Sequence, residues 1–111
     1  MNLPSPKERK NYQGVHGWWD VTNYHERGDE ELFRLIAGGH KEALEALYSR
    51  YSPLVFSMAR LMLRNQHMAE EATQEVFLRV WQKAGSFDPV RGEAHTWIVS
   101  VAHHYIVDEL R

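Results

Sequence analysis

The chain has 111 residues, enough to build one hydrophobic core and too few for a second. Its 43% hydrophobic and 25% charged residues are those of a globular fold, and the absence of cysteine excludes disulfides and thiolate metal sites. A formal net charge of -2 argues against a lone nucleic-acid binder that works by neutralising phosphates, whereas a domain held at DNA by a larger partner needs less affinity of its own.

In chain order, residues 1–28 read as an irregular N-terminal extension. Pro4, Pro6, the cluster Lys7-Glu8-Arg9-Lys10 and three glycines break any long period, and the aromatic residues Tyr12, Trp18, Trp19 and Tyr24 leave open a short helix around 18–24 or a flexible leader. The segment lacks the apolar run of a secretory signal, and no stretch approaches the roughly 20 apolar residues that span a bilayer, so a cytoplasmic protein without membrane contact is expected. Asp29 is placed to cap a short helix carrying Leu32, Phe33, Leu35 and Ile36, which Gly38-Gly39 ends. A second helix is expected over 41–51, burying Ala43, Leu44, Leu47 and Tyr48. Ser52-Pro53 then reads as a cap followed by a first-turn proline, or as a kink. Leu54, Val55, Met58, Ala59, Leu61 and Met62 continue a segment apolar on more than one side, the central helix of a small bundle.

After the turn Asn65-Gln66-His67, apolar residues Ala69, Ala72, Val76, Phe77, Val80, Trp81 and Ala84 recur at three- and four-residue intervals, which predicts an amphipathic helix closed by Gly85. Its opposite face gathers Glu71, Gln74, Glu75 and Gln82 around Leu78, the pattern of an apolar centre with a polar rim that would receive a basic helical partner. A plain solvated face gives the same charges. A loop over 86–93 follows. The last helix, 94–111, carries the stripe Ala94, Trp97, Ile98, Val101, Ala102, Tyr105, Ile106 and Leu110, and turns His95, Thr96, Ser100, His103 and His104 outward. Neither glycine nor proline ends it, which predicts a chain cut within a longer helix. The fold class expected from these elements is all-α, a small helical bundle of about four principal helices.

The run Glu70-Glu71-Ala72-Thr73-Gln74-Glu75-Val76-Phe77-Leu78-Arg79-Val80-Trp81, then Phe87-Asp88-Pro89-Val90-Arg91-Gly92, then Ala94-His95-Thr96-Trp97-Ile98 and Val101-Ala102-His103-His104, closely resembles region 2 of bacterial extracytoplasmic-function sigma factors. The resemblance covers about residues 29–111, and the extension before it is a departure from the family. It implies a non-enzymatic transcription-initiation domain without cofactors. Glu71, Gln74, Glu75 and Leu78 would grip the clamp coiled coil of the RNA polymerase core. Asp88, Arg91, His95, Thr96, Ser100, His103 and His104 would meet the non-template strand of the minus-ten promoter element. An anti-sigma factor covering these surfaces is implied by the resemblance alone. Relatives commonly carry arginine or asparagine where this chain has His103 and His104, which weakens phosphate attraction.

Three bland readings stand beside these. Asp88-Pro89 is also an ordinary turn, Phe87 also a lid on the core, and Trp97 lies in the apolar stripe, so it is read as core. The rival function is a small histidine-bearing metal-binding or metal-responsive module, with His16, His25, His103, His104 and Asp108 as candidate ligands; no second helix offers the facing pair such a site takes, so no metal is expected. No nucleophile with an adjacent base and no glycine-rich phosphate loop points to catalysis.

Overall fold

The computed structural model describes residues 24–111, and the described chain is all-α. A 3-10 turn, Tyr24–Glu26, leads into α1 (Asp29–Ala37), α2 (Lys41–Leu63), α3 (Gln66–Lys83) and α4 (Ala94–Leu110), with a second 3-10 turn, Ala84–Ser86, behind α3. The bundle of four principal helices is therefore what these residues form. Tyr12, Trp18 and Trp19 lie outside the described residues. Tyr24 is buried in the main core, so the packed unit reaches back at least that far.

Asp29 does not cap α1. Gly28 is the N-cap, without a side-chain bond, and Asp29 is the first helical residue. Its carboxylate is turned instead onto α2, where the Arg50 guanidinium and the Tyr51 hydroxyl both donate to it. A charge-assisted pair outweighs a single capping bond, which explains the departure. Arg50 also donates to the carbonyls of His25 and Arg27, at 3.1 and 3.0 Å, and so ties the 3-10 turn and α1 to the middle of α2. Burial, then the bond to Asp29, pushes the Tyr51 phenol up to about 12. At the other end of α1, Gly39 takes a φ of +91°, the left-handed conformation that lets the amides of Gly38, Gly39 and His40 close back on the carbonyls of Arg34, Ile36 and Leu35.

One helix replaces the two expected over 41–65. α2 runs unbroken from Lys41 to Leu63 with Pro53 inside it. Pro53 is exposed, so the Ser49 carbonyl that loses its partner faces outward, where water can satisfy it. α2 is the central element and touches α1, α3, α4 and the first 3-10 turn. Its side chains correct the expectation in detail. Val55 and Ala59 are buried, Met58 and Met62 half-buried, but Tyr48 is 41% exposed and Leu61 79% exposed. Ala46, absent from the expected set, is buried.

Asn65 caps α3 with its side-chain oxygen, which accepts from the Met68 amide at 2.8 Å, and Arg64 before it holds a left-handed φ of 56° to turn the chain out of α2. The predicted stripe of α3 is buried apart from a half-exposed Trp81, and Thr73 joins it by donating its hydroxyl to the Ala69 carbonyl at 2.8 Å. Along α4, Ala94, Ile98, Ala102 and Ile106 are buried and Trp97, Val101 and Tyr105 half-buried, whereas Leu110 is 55% exposed and drops out of the stripe. Leu32, Phe33, Ile36, Leu47, Val55, Val76, Val80 and Ile98 make the main core. Ala59, Ala69 and Ala72 with Ile106 make a smaller cluster, where the short side chains bring the far ends of α2, α3 and α4 close together.

Candidate docking face and nucleic-acid interface

Burying Val76, Val80 and Thr73 leaves the opposite side of α3 to solvent, and there Glu71, Gln74 and Glu75 are exposed. Leu78, expected to be solvent-facing, is half-buried. The reason lies in α2, whose Lys41, Leu44, Glu45, Tyr48 and Ser49 rise alongside and, with Gln74, Glu75, Phe77 and Leu78, enclose a groove of ≈ 740 Å³. Tyr48 stands edge-on to Phe77 with ring centroids 4.9 Å apart, forming the groove's apolar floor. The α2 wall was not read from the sequence as part of the face. The spacing of Tyr48 predicts a core position, and spacing alone does not say which helix borders which.

The acids on this face are differently engaged. Glu71 is paired along the helix with His67 at 2.7 Å, and Lys41 stands 4.0 Å from Glu45; both pairs are exposed, so each contributes little to stability and both are easily exchanged for a partner's cations. Gln66 donates to Glu70 at 3.2 Å one turn earlier. On the α4 side, Arg79 lies over the Tyr105 ring, 4.7 Å from its centroid, and the Tyr105 hydroxyl donates to Glu109 at 2.6 Å. That bond first, with burial and the Glu109 charge behind it, pushes Tyr105 up to about 12.

The second candidate face begins at the loop after α3. Phe87 is half-buried and stacks on Phe33 at 4.5 Å, and Trp97 meets both edge-on, 5.1 Å from Phe33 and 6.1 Å from Phe87. Phe87 thus closes the core beneath the loop and Trp97 packs with it. Above them Asp88 forms a turn, accepting from the Val90 amide through its side chain and from the Arg91 amide through its carbonyl, both at 3.0 Å. Asp88, Pro89, Val90, Arg91, Gly92 and Glu93 are all exposed, Val90 at 91%. His95, Thr96, Ser100, His103 and His104 are exposed along α4, but they do not form one row. His95 faces α2, with its ring 5.9 Å from Tyr51, while His103 and His104 are neighbours 6.3 Å apart just past the middle of the helix. The loop and the first turn of α4 therefore form one continuous exposed surface, and the histidine pair lies about two turns further on.

His104 and Asp108 are four residues apart and both exposed, but among the described residues no group of three or more candidate ligands could hold a metal ion. His16 lies outside the described residues. Among those residues, too, no helix is long and apolar enough to cross a membrane.

Comparison with known proteins adds to this geometry. A family model described as sigma-70 region 2 matches residues 47–111, from the middle of α2 to the end of α4. The chain is similar to an extracytoplasmic-function RNA polymerase sigma factor, SigK, of Mycobacterium sp. (strain KMS), 39% identical over 80 residues that cover 72% of this chain and 42% of that protein. It is similar also to the SigK sigma factor of Mycobacterium tuberculosis, 34% identical over 82 residues, 74% of this chain and 44% of that one. The chain thus spans less than half the length of these relatives. No solved structure matches it significantly.

Proposed function

We propose that this chain, which belongs to the sigma-70 region 2 family, is the part of a cytoplasmic transcription-initiation factor that docks on the RNA polymerase clamp and captures the melted minus-ten element. The observation that carries the reading is the α3 face, where Glu71, Gln74 and Glu75 stand exposed around the half-buried Leu78 at the lip of an apolar groove. Carboxylates and an amide in this arrangement accept hydrogen bonds from arginines of a coiled coil, while Leu78 and Tyr48 offer the apolar centre. Residues 29–111 are the unit that performs both tasks, and an anti-sigma factor would silence it by covering the same faces.

Strand capture falls to the exposed surface of loop and α4. Opening a promoter takes a base out of its stack, and the cost is offset by contacts to the base and its flanking phosphates. Asp88 holds the turn that presents the backbone on either side of Pro89, with Arg91 as its cation; His95 and Thr96 follow on the first turn of α4, and Ser100, His103 and His104 extend the path. Phe33, Phe87 and Trp97 fix the loop from below.

The test is binding of the chain to a fragment carrying the clamp coiled coil. Glu75→Lys, which puts a like charge against the coiled coil's arginines, is expected to weaken binding at least a hundredfold while leaving helix content and thermal midpoint unchanged, since Glu75 is exposed. Leu78→Asp is expected to do the same with a small loss of stability. Undiminished binding by a folded Glu75→Lys chain would sink the assignment of this face.

A further inference from the structure

α2 packs on α1, α3 and α4, and from Pro53 onward its remaining side is left to solvent. Pro53, Leu54, Ser57, Arg60 and Leu61 follow one another at steps of one and three residues, which places them on one side of a helix, and all five are exposed. Leu54 and Leu61, 37% and 79% exposed, stand seven residues apart, two turns along the same line. Arg64 closes the row at the end of the helix. An exposed leucine is ordinary by itself. Two observations set this side apart from a solvated face. Residues 46–64 hold three arginines and no acid in a chain whose formal net charge is -2, and of the three only Arg50 has an ion pair among the described residues, with Asp29. Arg64, moreover, is the one non-glycine residue among those described with a left-handed φ, 56°. Glycine takes that position after a helix without strain, whereas arginine is held there against its backbone preference, and its amide closes on the Arg60 carbonyl at 3.0 Å. The strained residue is therefore a cation set one turn beyond another cation.

We propose that this side of α2 is a further docking surface whose occupant is an acidic amphipathic helix of a partner protein, laid along Leu54 and Leu61 with its carboxylates on Arg60 and Arg64. Charge selects the occupant. A second copy of this chain docking symmetrically would set arginines against arginines. A nucleic-acid strand would satisfy the arginines through its phosphates but leave Leu54 and Leu61 without a use, whereas a helix with a leucine seam and an acidic flank meets both. From Leu54 to Arg64 the surface is about 15 Å long at 1.5 Å per residue, so the contact is small and its affinity is on the order of micromolar. It shares no residue with the groove between α2 and α3, and the proposal stands apart from clamp docking.

The test uses the full chain and a synthetic helical peptide whose leucines are spaced as Leu54 and Leu61 are and flanked by glutamates, with a second peptide that carries lysine at each glutamate. Amide shifts of the chain are followed by NMR at physiological salt. The glutamate peptide is expected to bind and to move the amides of residues 54–64, and the lysine peptide is expected not to bind. Arg60→Gln/Arg64→Gly removes both cations and relieves the strained backbone, so it is expected to weaken the glutamate peptide about tenfold while the thermal midpoint holds or rises. Leu61→Ser, on an exposed side chain, is expected to weaken it several-fold with helix content unchanged. Glu75→Lys on α3 is expected to leave it unchanged. No binding, equal binding of the two peptides, shifts centred away from residues 54–64, or undiminished affinity in either α2 variant would overturn the proposal. Displacement of the peptide by a single-stranded oligonucleotide would overturn it too, and would assign the arginines to nucleic acid.

Discussion

His40 is the N-cap residue of α2, half-buried, with the Tyr24 hydroxyl on its Nδ1. Burial first, and the positive charge of Arg27 second, lower it from the ordinary 6.5. A proton there would also oppose the partial positive charge of the helix N-terminus. Because the folded chain disfavours the protonated ring, the unfolded chain binds more protons, and stability rises with pH. The contribution is complete above about 6.5, where the unfolded ring is already neutral, and is lost as pH falls from there through the lower folded value. Urea midpoints measured from about pH 5 to 7 are expected to rise, and His40→Gln, which keeps an acceptor for Tyr24 but cannot titrate, is expected to flatten that rise relative to wild type. An equal slope in both chains would remove His40 from the account. Asp29 carries a different lesson at the same scale. Its sequence position beside a glycine and before an apolar run reads as a cap, yet its carboxylate serves Arg50 and Tyr51, 21 and 22 residues on. Local signals rank capping residues well, but they cannot see a cation brought in by tertiary packing.

The helices themselves show what periodicity can and cannot carry. The stripe of α3 was legible almost residue by residue, because Ala69, Ala72, Val76, Phe77 and Val80 keep one spacing on one buried side. For α2, spacing left two helices and one kinked helix both open, because Ser52-Pro53 carries the chemistry of a helix start; the chain takes one helix. What overrides it is contact on three sides, which holds the backbone helical through the proline at the loss of one exposed hydrogen bond. Pro53→Ala restores that bond and is expected to raise stability by about 1 to 3 kcal/mol, a gain of several degrees in the thermal midpoint. A fall would mean that Pro53 fixes a bend the packing requires. Asn65→Ala, in contrast, removes the bond that caps α3 and is expected to cost about 1 kcal/mol without altering the fold. The groove between α2 and α3 was only half legible for a related reason. Gln74, Glu75 and Leu78 share a helix face that spacing reveals, but the wall supplied by Lys41, Glu45, Tyr48 and Ser49 exists only once α2 has packed beside α3.

At the scale of the whole molecule, the charge balance separates the two proposed faces. The formal net charge is -2, and the docking side of α3 collects Glu70, Glu71 and Glu75, while on the exposed surface of loop and α4 the proposed strand path has Arg91 as its cation and is continued by imidazoles. On the proposed reading, such a domain would gain its hold on DNA by being carried there, since its own phosphate attraction is small. The salt dependence of strand binding tests this directly. One arginine on one phosphate of a single strand contributes a log–log slope of about -0.7, so the chain is expected to bind a single-stranded minus-ten oligonucleotide weakly, with a slope of about that size. Measured at about pH 8, His103→Arg/His104→Arg adds two cations on exposed side chains. If the strand runs along α4 as proposed, the slope steepens by about 1.4 and affinity rises most at low salt. If the slope is unchanged, the strand leaves the protein before His103, and contact is confined to the loop and the first turns of α4, where Asp88, Arg91, His95 and Thr96 already lie on one surface.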